Sequence, residues 1–364
     1  MKNQQNLIGK RVSYARKQLG LNQKELSKSL GFKDRQILSN IENGNRGVSV
    51  EELIKIMQIT GKNLEFFTDS FSVAGEAEFS FRADADEPIL NDFQEKAEKI
   101  LGTYKRLSEL NNNNFSYLSK TLRITEKSSF EDALNAGEMV SEKLCLGDIP
   151  SKNLRNKIED VLNILLLFLD IPQEISGAAC RLQDFDSILI NRNETLGRIN
   201  FDISHELFHI LTWENMKPNR IDEKTNSRCE QLANKFASAL LMPEKSLKIE
   251  WERRNRLEIN KRLNATATFF NVTAKALKWR IVNLGWLDNS QMGKINDDLL
   301  TANGEPKKQI KKPTLFSKKF IVLLHKSLEI GEISARRAAE LTGLSLDDLL
   351  GVFEQYELTP PFDL

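Results

Sequence analysis

Two of the chain's three histidines stand four residues apart, in the run Ser204-His205-Glu206-Leu207-Phe208-His209. Residues at that spacing share one face of a helix, so His205 and His209 can aim their imidazoles at a single metal ion. Glu206 lies beside them, placed to take a proton from a metal-bound water rather than to ligate the metal. The flanks read as helical: Phe201, Leu207, Phe208, Ile210 and Leu211 supply apolar faces, and Asn200 is the expected N-cap. A tetrahedral centre with one open position needs a third protein ligand. The remaining histidine, His325, stands far along the chain in a basic helical segment, so a carboxylate is expected instead. Glu214, Asp222, Glu223 and Glu230 all compete for that role, with Glu230 slightly ahead.

Glu230 opens a stretch that reads as a second amphipathic helix and stops at Pro243. The pairing of HELFH with E-x-x-A-N-x-F-A-x-x-L-L-M-P resembles the ImmA/IrrE metallopeptidases. The resemblance implies that His205, His209 and Glu230 bind one Zn2+ per chain and that Glu206 is the catalytic base of peptide hydrolysis. Manganese and iron suit the same ligand set, and availability decides among them.

At 364 residues, 28% of them charged, the chain is long enough for two or three domains with separate cores. Fifty-two Lys and Arg nearly balance fifty-one Asp and Glu, so only local charge can speak for nucleic acid. Cys145, Cys180 and Cys229 show neither metal-ligand spacing nor a disulfide framework, which fits a reducing, cytoplasmic compartment. Cys229 is expected to be a small buried residue. The N-terminus lacks the apolar core of a signal peptide. The most apolar run, residues 161–171, contains Asn163, is too short to span a bilayer and is expected to be a buried helix.

The first seventy residues carry five short helical patterns, at 7–18, 23–30, 34–43, 50–59 and 63–68, with Asn22, Gly31 and Gly44 as punctuation. Helix, tight turn and helix is the helix-turn-helix arrangement. The wording LNQKELSKSLGFKDRQILSNIENGNR, then SVEELIKIMQITGKNLEFF, resembles the phage-repressor (Xre/Cro-like) DNA-binding domain, with one residue inserted around Lys33. The resemblance places Arg35, Gln36, Ser39 and Asn40 on the DNA-facing side of the recognition helix. Arg35 suits guanine O6/N7, and Gln36 and Asn40 suit adenine N6/N7. Gln23 matches a phosphate-contacting position, and Arg46 is placed for a further backbone contact. Arg16 and Glu42 are implied to pair within the fold. Residues 1–70 hold twelve Lys and Arg against seven Asp and Glu, a local charge of +5. One such domain reads half an operator, so a homodimer on an inverted repeat of double-stranded DNA is expected.

Residues 71–134 read as a linker and a solvated helical arm interrupted by Asn111 to Asn114. The peptidase domain is expected over 135–290, with helices at 138–145 and 151–169 and a strand at 186–193. That strand suits a template for an extended peptide and a purely structural strand equally, and Arg198 is expected as a surface residue rather than at the site. The basic, aromatic tail FFNVTAKALKWRIVNLGWL is expected to pack on the peptidase core. A linker follows over 291–313, then a small helical module over 314–364 with Ser334 and Ser345 as N-caps.

The expected fold is therefore mainly α with a small β component. It comprises a lambda-repressor-like five-helix domain, a zincin-like metallopeptidase domain and a helical C-terminal tail. The expected function is a transcriptional regulator whose zinc endopeptidase cleaves a repressor, an antitoxin or itself in a stress or phage response, without a membrane partner. The alternative is a repressor or antitoxin whose zinc domain is structural or sensory.

Overall fold

The computed structural model describes residues 2–83, 85–111, 121–216, 227–301 and 312–362. It opens with α1 (Lys2–Gln18), α2 (Gln23–Leu30), α3 (Arg35–Glu42), α4 (Val50–Thr60) and α5 (Leu64–Thr68). Local chemistry sets these boundaries. Asn22 accepts from the backbone N–H groups of Lys24 and Glu25, and the Glu25 carboxylate accepts from Asn22 in return. Ser49 and Glu52 repeat this reciprocal cap on α4, while Asp34 and Asn63 cap α3 and α5. Inside, Val12, Ala15, Leu26, Leu38, Ile56 and Phe67 form one apolar cluster. The buried Arg16–Glu42 pair, 2.6 Å apart, ties α1 to α3 as expected.

The chain continues through β1 (Glu78–Ala83), α6 (Glu87–Leu110), α7 (Phe130–Lys143), α8 (Pro150–Asp160), β2 (Leu165–Leu169), β3 (Ile175–Arg181) and β4 (Asp186–Asn191). Next come α9 (Leu196–Thr212), α10 (Ser227–Leu241), α11 (Glu244–Arg253), α12 (Ile259–Phe270), α13 (Ala274–Asn283) and α14 (Asn289–Gly293). A short 3-10 turn at Asp297–Leu299 precedes α15 (Lys318–Glu329), α16 (Ala335–Thr342) and α17 (Leu346–Gln355). Among the described residues no helix is long and apolar enough to cross a membrane.

Two compact units divide the chain. The first comprises Met1–Glu78, Glu87–Asn114 and Phe320–Leu364, so it joins the N-terminal helices, α6 and the last three helices. The expected solvated arm is instead a packed helix. Phe93, Ala97, Ile100, Leu101, Tyr104 and Leu107 recur three or four residues apart along α6 and are buried. The charges between them hid that stripe. Asn111 at its end donates to Ser327 Oγ and Glu332 Oε2, both at 2.8 Å. Asn112, Asn113 and Asn114 lie outside the described residues. Ser334 and Ser345 cap α16 and α17 as expected, and Arg337 pairs with Asp69 at 3.1 Å.

The second unit comprises Phe79–Asp86 and Phe115–Lys319 and is built on a four-stranded sheet of order β1-β3-β4-β2. Two expectations change here, and the choice between two readings of β4 is decided. The apolar run at 161–171 is not a helix: α8 stops at Asp160, Asn163 adopts a left-handed φ of 51°, and Leu165–Leu169 is a fully buried strand. A short all-apolar run suits a buried strand and a buried helix equally, and here pairing with β4 decides. Residues 71–92 hold β1, so they are not purely a linker. β4 itself forms where expected but is flanked on both sides, parallel to β2 and antiparallel to β3. With both rows of backbone groups paired it cannot template a peptide.

α9 and α10 lie in the large core of this unit, with Leu207, Phe208, Leu232, Phe236 and Leu240 buried together. α7 starts earlier than expected and crosses α10 closely at Gly137. A Cβ there would collide with the Phe236 carbonyl oxygen and lie 2.9 Å from the Leu240 nitrogen. α12 and α13 pack in the same core through Leu263, Ala267, Phe270, Leu277 and Ile281, as expected for the basic, aromatic tail. The stretch expected as a second linker holds α14 and the 3-10 turn, with Asn264 donating to the Leu299 carbonyl at 2.8 Å.

Because Gly137 sets the spacing of α7 and α10, Gly137→Val is expected to destabilise the second unit by about 1–3 kcal/mol. It is also expected to weaken metal retention by shifting α10. Thermal unfolding and metal content of the purified variant check both, and an unchanged melting temperature would contradict the close crossing.

Candidate metal centre and recognition helix

α9 presents His205 and His209 on one face, both buried, toward the first turn of α10. Thr195, not Asn200, precedes its first turn. Asn200 lies within the helix, where it donates to the Asn271 carbonyl at 2.9 Å and accepts from Arg155 at 3.2 Å. Glu230 meets the histidines from α10: its Oε2 is 2.9 Å from His205 Nε2 and its Oε1 3.3 Å from His209 Nε2. The two Nε2 atoms are 3.1 Å apart. Among the described residues these three form a cluster with one ligand atom each, all within 4.8 Å of one another.

Partners on the far side of each ring orient it. Asn234 Oδ1 faces His205 Nδ1 at 3.1 Å, which places the ring proton on Nδ1 and a lone pair on Nε2. Cys229 Sγ is 3.9 Å from His209 Nδ1. Sequence reasoning placed Cys229 as a small buried residue, which it is, but missed this contact, and it missed Asn234 altogether. The helical spacing held the signal, since Asn234 stands one turn beyond Glu230 on the same face.

Two imidazole nitrogens and a carboxylate oxygen converging at these distances form a donor set that fits a divalent metal. The electrostatics favour a cation there. Burial opposes charge on His209, but hydrogen bonds with Cys229 and Glu230 and the charges of Glu206 and Glu230 outweigh it, and its pKa is pushed up to about 10. Burial likewise opposes the Glu230 carboxylate, yet both histidines hold it well below the usual carboxylate range.

Glu206 is buried beside the cluster. Its Cγ lies 3.6 Å from where a Cβ on Gly177 would stand, and that Cβ would be only 2.9 Å from the Leu189 carbonyl. Glycine thus lets β3 run close along Glu206. Glu214, Arg198 and His325 fall elsewhere. Glu214 pairs with Arg181 at 2.8 Å, and Asp222 and Glu223 lie outside the described residues. Arg198 donates to Ser176 Oγ and lies near Glu194 and Asp202, not in the cluster. His325 contacts the Thr359 carbonyl at 2.6 Å and Glu329 at 3.4 Å.

In the N-terminal domain Arg35 and Gln36 are exposed at the start of α3, and Ser39 and Asn40 are half-buried one turn on. Gln36 approaches Asn40 at 3.4 Å, and Ser39 accepts from Asn43 at 3.4 Å. Gln23 donates to Glu42 at 2.9 Å, which locks it into the Arg16–Glu42 pair. Arg46 is exposed and pairs with Glu52 at 2.8 Å.

Residues 12–67 match the family model described as Helix-turn-helix, and residues 159–282 match that of the IrrE N-terminal-like domain. The chain thus joins an Xre-like helix-turn-helix domain to an IrrE-type, metallopeptidase-like domain. No curated protein and no solved structure gives a significant match.

With the His209 pKa raised above its ordinary value of about 6.5, metal must displace a proton held through neutral pH. Metal binding is therefore expected to release about one proton, and affinity to fall about tenfold for each unit of acidification. Calorimetry in buffers of different ionisation enthalpy reads this directly. Asn234→Leu is expected to weaken metal binding about 10–100-fold, and wild-type affinity in that variant would remove Asn234 from the site.

Proposed function

We propose that this protein is a DNA-binding transcriptional regulator whose second domain is a zinc-dependent endopeptidase. Its expected target is a repressor, an antitoxin or the chain itself. The observation that carries the reading is the convergence of His205, His209 and Glu230 with Glu206 buried alongside. A purely structural metal site has no use for that glutamate.

In this reading His205, His209 and Glu230 hold the ion and Asn234 fixes the tautomer of His205. Zinc, when bound, supplies Lewis-acid polarisation and acidifies water. Glu206 accepts the proton of the attacking water on its carboxylate and later delivers it to the leaving amine. The buried walls around Glu206 exclude bulk solvent, so that the proton stays within the site.

At the other end of the chain, Arg35, Gln36, Ser39 and Asn40 read base edges, while Gln23 and Arg46 meet the backbone. Gln23 is steadied by Glu42, and Arg46 reaches phosphate by leaving Glu52. A homodimer spans an inverted repeat in the major groove. Three free cysteines suit a cytoplasmic setting.

Glu206→Gln separates this reading from a merely structural or sensory metal site. It is expected to keep the metal and to lower peptide hydrolysis by about 10²–10⁴-fold. A Glu206→Gln protein that retains full biological function would remove proteolysis from the account. Arg35→Ala is expected to weaken operator binding by about 1–3 kcal/mol and to relax base preference at one position. Binding titrations on randomised operators at fixed salt test this, and undiminished selectivity would take Arg35 off the base edge.

A further inference from the structure

β3 is the strand that runs beside Glu206, through Gly177. An extended peptide that joins the sheet at this side needs an unpaired row of backbone groups. β4 offers none, being paired to β2 and β3 along its length. β2 is shielded on its far side where Phe168 and Phe316 exchange two backbone hydrogen bonds, at 2.7 and 3.3 Å. The inner row of β3 is paired to β4, so the row that the strand beside Glu206 has left is its outer edge, and β1 occupies it.

β1 comes from far upstream in the sequence, yet residues 79–86 belong to the second unit rather than the first. Its aromatic side chains are spaced two apart. Phe79 and Phe81 share one face, with ring centroids 5.3 Å apart and ring planes 4° from parallel. Phe79 and Ser80 are buried, whereas Glu78 is exposed.

We propose that the outer edge of β3 is the peptide-binding edge of the site and that β1 is its resident occupant, a strand the substrate must displace. The substrate class is an extended segment with aromatic residues two apart, like Glu78-Phe79-Ser80-Phe81. Tethering makes β1 a strong competitor. A linked strand acts at an effective concentration in the millimolar range. A free peptide of about micromolar intrinsic affinity is then weakened on the order of a thousandfold. The proposal takes from the peptidase reading only the word substrate; the exchange itself is a binding event.

The test uses the full-length zinc-loaded protein and a fluorescein-labelled peptide copying residues 76–86, read by polarisation. Wild type is compared with Phe79→Ala and the milder Phe79→Leu, with metal content and hydrogen exchange of the β3 amides measured on each. Phe79→Ala is expected to bind the peptide at least tenfold more tightly than wild type, Phe79→Leu to fall between, and the peptide to restore protection across 176–181. Equal binding by all three proteins, binding without protection of β3, or loss of metal and cooperative unfolding in both variants would each overturn the proposal. Casein hydrolysis measured in parallel separates the two readings. Capture without hydrolysis leaves the edge standing and removes the peptidase, while hydrolysis without capture does the reverse.

Discussion

Two buried imidazole nitrogens 3.1 Å apart, with a half-exposed carboxylate oxygen 2.9 Å from one of them, are held together favourably only with positive charge among them. The second unit is arranged to hold that unfavourable grouping. α9 lies against β3 and β4, with Ile203, Leu207 and Phe208 buried, so its histidines cannot rotate away from the site. α10 is pressed into place by α7 at Gly137, which sets where Glu230 arrives. Asn234 and Cys229 then stand behind the rings. Packing holds the donors together, and a cation relieves the repulsion. Metal binding and folding of this unit are thereby linked.

In the first unit α2 to α5 rest on a different balance, because they are short and each depends on its ends. Caps by Asn22, Asp34, Ser49 and Asn63 satisfy backbone groups that helices of five to eleven residues could not otherwise hold in order. The Arg16–Glu42 pair locks α1 onto α3, and Gln23 joins it from α2. Burial resists the Glu42 carboxylate, but hydrogen bonds from Arg16 and Gln23 keep it ionised, below its ordinary range. Removing one partner from such a pair leaves a buried charge, so the recognition helix is held by a contact that tolerates little change.

What could be read from the sequence follows the range of the interaction. Helices α1 to α5 are written in caps and glycines a few residues apart, and the paired histidines in one helical turn, so both were legible. Long-range pairing was not. Leu165–Leu169 became a strand only because Ser187–Asn191 lies beside it. β1 became a strand only because β3 offers an edge. α6 hid its buried stripe among charges, and Asn200 looked like a cap when its role is to bond Asn271, far along the chain. The third carboxylate shows the boundary well. Spacing alone left four contenders, family resemblance favoured Glu230, and the α9–α10 packing brings Glu230 to the histidines.

The chain path bears on the proposal of self-cleavage. The first unit is not a contiguous N-terminal piece, since residues 320–364 return to it after the whole peptidase-like unit. Asn111 holds Ser327 and Glu332, and Arg337 holds Asp69, so the returning helices are fixed to α6 and to the end of α5 by polar contacts. Tyr104 on α6 adds a ring contact to Phe320. A single cut within residues 115–319 would break the covalent path and leave those contacts in place. Cleavage there does not by itself free the helix-turn-helix domain from its C-terminal helices. A cut between Glu78 and Glu87 would likewise leave in place the contacts that tie residues 73–76 to α6, the Val73 N–H to the Glu98 carbonyl at 3.2 Å and Lys105 to Glu76 at 2.8 Å. The first unit is thus held together by contacts across its three segments and not by the covalent path alone.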